Sequence, residues 1–198
     1  MDDAQLARTL EFLRAAERLK TTRRSGYTSA GDPESVAEHT WRVCLMALVL
    51  HDASPGLDVA RLLKICIVHD LGEAVNGDVP APEQARRLAE DPAAAKSADE
   101  RRDLVALVAP LPAAQRDEIV ALWDEYEAAQ TPEARMAKAL DKLETILQHT
   151  QGANPPDFDY AFNLGYGRRF TAAPDAIARL RAALDADTER RARERPVD

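Results

Sequence analysis

The chain has 198 residues, with 34 Asp and Glu against 26 Lys and Arg, for a net charge of −8. That length suits one sizeable core, and the acidic balance opposes binding to long nucleic acid, which needs surplus cations to displace counterions from phosphates. The longest uninterrupted apolar run, Val43 to Leu50, is too short to span a bilayer, and the first residues lack the basic start of a secretion signal, so a cytoplasmic protein without a membrane segment is expected.

Apolar residues recur at three- and four-residue intervals, and no stretch alternates with period two long enough to suggest a sheet, so the expected fold is all-α and single-domain. A first helix is expected from Gln5 to Lys20, with Leu6, Leu10 and Leu13 on one stripe. The polar segment Thr21 to Asp32 follows, and Asp32 with Pro33 reads as the start of a second helix running to about His51. Ser54-Pro55-Gly56 breaks it, and Asp58 caps a third helix to roughly Glu73, ended by the turn residues Asn76 to Pro80. Shorter helices are expected over Pro82 to Ala89 and Lys96 to Ala109, then a longer one from Leu111-Pro112 to about Ala129. Thr131-Pro132-Glu133 caps a long helix carrying Asp141, Glu144 and His149, and Gly152 to Pro156 stops it. Two last helices lie near Phe158 to Arg169 and Ala173 to Arg191. Cys44 and Cys66 fall in apolar helical stretches with no CxxC spacing, as reduced core residues do.

The chain has four histidines, and two of them begin His-Asp dipeptides. His51-Asp52 closes a helix before a Pro-Gly break, where a histidine is favoured by the helix dipole. His69-Asp70 instead lies in Ile65-Cys-Ile-Val-His-Asp-Leu-Gly-Glu73, where burying two ionisable groups costs several kcal/mol unless something pairs them. Glu73 is four and three residues beyond them, so on a continuous helix all three share a face, and Gly72 permits a close approach. His39, mid-helix in Val36 to Trp41, and Asp141, within Lys138 to Leu143, are further polar groups in apolar patterns. Two imidazoles and two carboxylates suit Mn, Fe, Co, Mg or Zn with water completing the shell. Glu38 is open to a hydrogen bond behind the site or to solvent. Trp41 and Trp123 read as core or interface anchors rather than a base platform, and His149, two turns beyond Asp141, as structural.

The order His39, His69-Asp70, Asp141 resembles the H…HD…D signature of the HD-domain phosphohydrolases. Within that superfamily, Pro33-Glu-Ser-Val-Ala-Glu-His39, Val68-His-Asp-Leu-Gly-Glu73, Gly77-Asp78-Val-Pro-Ala-Pro82, Leu122-Trp-Asp-Glu-Tyr126 and Lys138-Ala-Leu-Asp-Lys-Leu-Glu144 are similar to the 5′-deoxynucleotidase group, over residues 5 to 170. The resemblance implies an HD-domain helical bundle, His39, His69, Asp70 and Asp141 as ligands of a divalent metal, and Glu73 as the catalytic glutamate. It also implies Arg24 as a phosphate contact, Asp78 as a sugar contact, a nucleotide substrate, and a homodimer. One departure concerns the base: Ser25 follows Arg24, and Tyr27 stands three residues on, where the bacterial deoxynucleotidase places an aromatic directly after the arginine. Hydrolysis of a deoxynucleoside 5′-monophosphate is the leading expectation, with Glu73 acting as either acid or base. Another phosphoester (a cyclic nucleotide, a guanosine tetraphosphate, a biosynthetic nucleotide intermediate), a non-catalytic nucleotide sensor and a structural adaptor are the alternatives.

Overall fold

The computed structural model describes residues 2–80, 83, 84, 86 and 96–194. Nine α-helices lie among the described residues: α1 Asp3–Ala16, α2 Val36–Leu50, α3 Val59–Val68, α4 Glu73–Asn76, α5 Lys96–Val108, α6 Ala113–Ala128, α7 Pro132–Gln151, α8 Ala161–Gly165 and α9 Asp175–Arg193. The expected helix over Pro82 to Ala89 lies largely outside the described residues.

Helix α7 is the centre of the bundle. Thirteen of its twenty residues are buried, and it packs against α2, α3, α6 and α9. Its start is set as the sequence suggests, with Thr131 Oγ1 accepting from the Ala134 amide and Pro132 in the first turn. Around it one apolar cluster joins Val43 and Met46 of α2, Leu62 and Ile65 of α3, Leu104 of α5, Trp123 of α6 and Ile177 of α9. Asp58 caps α3 by accepting from the Arg61 amide. The Leu6, Leu10 and Leu13 stripe of α1 is exposed. Cys66 is buried and Cys44 half-buried, both as free thiols. No described helix is long and apolar enough to cross a membrane.

Three local expectations are corrected. The polar segment after the first helix holds a small sheet where none is expected: β1 Arg23–Tyr27 pairs antiparallel with β2 Pro33–Ser35, Arg23 facing Ser35 and Tyr27 facing Pro33, with a bulge between. Strands of five and three residues are too short to show a period-two pattern. Because Pro33 belongs to that hairpin, Asp32 does not cap α2. Ser35 does, in a capping box where its side chain accepts from the Glu38 amide and the Glu38 carboxylate accepts from the Ser35 amide at 2.7 Å. Glu38 thus serves the start of α2 from an exposed position rather than supporting the site. Finally, the third helix does not run on to Glu73. It ends at Val68, and residues 69–72 form turns with three-residue backbone bonds, Leu71 to Val68 and Glu73 to Asp70, before α4 begins.

Candidate active site and metal centre

The break after Val68 places His69 and Asp70 at the head of a turn rather than on a regular helix. Gly72 makes that turn possible, because a Cβ there would stand 2.9 Å from the Glu100 carbonyl oxygen on α5. From the other side, Trp123 Nε1 of α6 donates to the His69 carbonyl at 3.1 Å. The His69 ring is set by its Nδ1, 2.7 Å from the Cys66 carbonyl, which it meets as donor, so Nε2 faces His39 and Asp70.

Four groups from three regions of chain converge there. His69 Nε2 is 3.4 Å from His39 Nε2 and 3.2 Å from Asp70 Oδ2. His39 Nε2 is 3.7 Å from Asp70 Oδ2 and 3.4 Å from Asp141 Oδ1. Ligand atoms of His39, His69 and Asp70 all lie within 4.8 Å of one another. Two imidazole nitrogens and the half-buried Asp70 carboxylate lie close together, with the Asp141 carboxylate against His39 Nε2, a donor set that suits a divalent transition metal or Mg, so the residues present fit such an ion. A second trio, Glu34, His39 and Glu144, also meets the distance criterion. It uses the opposite nitrogen of His39, however, and Arg42 already occupies its carboxylate: Arg42 Nε donates to Glu144 Oε1 at 2.7 Å.

That second trio therefore reads as support behind the ligands. Glu144, fully buried, accepts from His39 Nδ1, which fixes the tautomer and turns Nε2 toward the centre. Burial and Arg24 oppose protonation of His39, yet Glu144 and Asp141 push its pKa up to about 10. Burial raises the Glu144 carboxyl, but His39 and Arg42 outweigh it and hold the group down at about 2. Asp141 has its own partners, accepting from the Tyr126 hydroxyl at 2.5 Å and from Lys142 Nζ at 2.9 Å. The sequence pattern points to no role for Glu144 or Arg42, whereas the Lys142 pair with Asp141 is legible from their adjacency. The available signals were spacings, since Arg42 is three residues beyond His39 and Glu144 three beyond Asp141.

The cluster opens onto a cavity of about 350 Å³ lined by Arg24, His69, Asp70, Glu73, Asp78 and Asp141, among others. The hairpin delivers Arg24: its Nη1 donates to Asp70 Oδ2 at 3.1 Å and its Nη2 to Thr145 Oγ1 at 3.2 Å. Burial disfavours that guanidinium's charge, but Asp70, Asp78, Glu73 and Asp141 hold its pKa well above the ordinary value. Glu73, the first residue of α4, is buried beside the cluster. Tyr27 is not brought to this cavity among the lining residues; its carbonyl instead accepts from Gln148 Nε2. Of the two tryptophans, Trp123 is a core residue and Trp41 is 65% exposed. His149 is buried, with Nδ1 2.8 Å from Asn163 Oδ1, a structural position as expected.

The HD domain family matches residues 16–181. This chain belongs to the HD-domain family. The HD-domain protein is 35% identical over 157 residues to the 5′-deoxynucleotidase hdd1 of Schizosaccharomyces pombe, a match covering 75% of this chain and 74% of that one. It is 36% identical over 141 residues to the 5′-deoxynucleotidase HDDC2 of Danio rerio, covering 70% of this chain and 66% of the relative, so the chain spans just under two thirds of that protein's length. Among solved structures it is similar to a predicted metal-dependent phosphohydrolase from Magnetospirillum magnetotacticum, with a TM-score of 0.76 and 29% identity across 96% of this chain and 97% of the other.

Proposed function

We propose that this HD-domain protein is a metal-dependent phosphomonoesterase that hydrolyses a deoxynucleoside 5′-monophosphate to nucleoside and inorganic phosphate. The observation that carries the reading is the placement of Arg24 beside the His39, His69, Asp70 and Asp141 cluster, in one cavity with Glu73 and Asp78. The names of the curated relatives support the substrate class.

His39, His69, Asp70 and Asp141 would hold the ion. A divalent metal bound there supplies Lewis acidity toward a phosphoryl oxygen and lowers the pKa of a water. The remaining work falls to the chain. Arg24 presents a planar fork to two phosphate oxygens, and its existing bonds to Asp70 and Thr145 fix its direction before substrate arrives. Glu73 handles the proton: water forms the new bond to phosphorus, the bond to O5′ breaks, and a proton passes from the water side to the leaving oxygen by way of the carboxylate. Asp78 accepts from a sugar hydroxyl.

The test is phosphate release from paired ribo- and deoxyribonucleoside 5′-monophosphates by metal-stripped protein resupplied with Mn, Co, Mg, Fe or Zn, alongside Glu73→Gln. The expected result is metal-dependent release that prefers the deoxy series and falls by about 10²-fold or more in Glu73→Gln. Turnover of phosphodiesters but not monoesters, or full activity in Glu73→Gln, contradicts the proposal.

A further inference from the structure

Resting on the phosphomonoesterase reading, we propose that the segment from Tyr166 to Phe170, rather than the hairpin, forms the nucleobase wall, with Phe170 as the stacking surface and Tyr166 beside it. The hairpin offers no ring to the cavity, since Tyr27 is absent from the lining residues. Among the described residues, the Tyr126, Tyr166 and Phe170 rings line it. Tyr126 is committed elsewhere. Its hydroxyl is bonded to Asp141 and its ring packs against His69, with the centroids 5.2 Å apart. Phe170, half-buried, already carries a planar group, the Arg169 guanidinium, with Cζ 4.4 Å from the ring centroid. A ring that accepts one flat cationic plane from an exposed side chain presents a face suited to a flat base.

The segment is built as a wall. Gly167 has φ +66°, and a Cβ there would stand 2.6 Å from Lys142 Cβ, so the chain is pressed against α7 beside Asp141. From α9, the buried Arg181 donates to the Asn163 carbonyl at 2.8 Å, the Leu164 carbonyl at 3.0 Å and the Tyr166 carbonyl, while its Nε pairs with Asp185 at 2.7 Å. A buried cation whose donors go to the carbonyls at the end of α8 holds the start of the segment in one arrangement. The aromatic wall is therefore fixed relative to the metal cluster, in the cavity shared with Arg24 and Asp78.

Kinetics with a deoxynucleoside 5′-monophosphate and with base-free deoxyribose 5-phosphate test this, using wild type, Phe170→Leu and Phe170→Trp. Binding of the deoxynucleoside to metal-stripped protein is measured in parallel. Phe170→Leu is expected to raise the nucleotide KM about tenfold, leaving kcat and the deoxyribose 5-phosphate KM within about twofold, while Phe170→Trp keeps the wild-type KM. Equal losses on both substrates, or none on either, overturn the proposal. If wild type hydrolyses neither substrate, the phosphomonoesterase reading fails, and the binding arm decides separately. Deoxynucleoside affinity that falls in Phe170→Leu sustains the wall; affinity unchanged by the substitution, or no binding at all, removes it.

Discussion

The chain carries the same dipeptide twice, and the two copies live in opposite surroundings. The His51 and Asp52 side chains are 35% and 94% exposed, paired only with each other at 3.1 Å just past the end of α2. Those of His69 and Asp70 are 1% and 17% exposed, and they meet His39, Asp141 and Arg24. Water solvates Asp52 almost fully and still reaches His51. The second has surrendered that water, so its polar atoms need partners within the fold. The chemistry of a His-Asp pair is thus set by what the neighbouring helices place around it, which here is a group of imidazole nitrogens and carboxylates drawn close together.

The largest expected effect breaks the comparison outright. His69→Ala is expected to lower phosphate release by about a thousandfold or more, because losing the ion forfeits several kcal/mol of transition-state stabilisation. His51→Ala is expected to leave turnover and metal content within about twofold, and comparable losses in the two variants would erase the distinction. A smaller effect sharpens it from behind the ligands. Glu144→Gln keeps the shape of the side chain but weakens its hold on His39 Nδ1, and metal affinity by competitive chelation is expected to fall about 10- to 100-fold. The smallest effect concerns the scaffold. Trp123→Phe removes the bond to the His69 carbonyl and is expected to cost about 0.5–1.5 kcal/mol in urea unfolding. Trp41→Phe, at an exposed position, is expected to change stability by less than about 0.5 kcal/mol.

The long elements were readable because they are periodic and capped. Helix α7 begins at Thr131-Pro132 as its cap chemistry dictates, and α3 begins after Asp58 for the same reason. The hairpin was not readable, since its pairing depends on Arg23 meeting Ser35 across a bulged turn. The approach of His69, Asp70 and Glu73 was expected from helical spacing, but it arises differently. The chain leaves α3 and tightens through residues 69–72, a turn that depends on Gly72 fitting under α5. The meeting of His39 with Asp141, 3.4 Å apart, is a tertiary fact that spacing within one helix does not encode. Glu144 passed unassigned because its value lies in facing His39 on another helix. Tyr27 stands within the motif, whereas the aromatics lining the cavity are Tyr126 of α6 and, from the segment after α8, Tyr166 and Phe170.

The central claim is that the ion sits among His39, His69, Asp70 and Asp141, with Glu34 and Glu144 as support. A crystal of the protein loaded with Mn or Zn, measured at that metal's absorption edge, tests this most directly. The account predicts one strong anomalous peak at about 2.0–2.2 Å from His39 Nε2 and His69 Nε2, with Glu144 still bonded to Nδ1. A peak between Glu34, Glu144 and His39 Nδ1, or none near His69-Asp70, would contradict it.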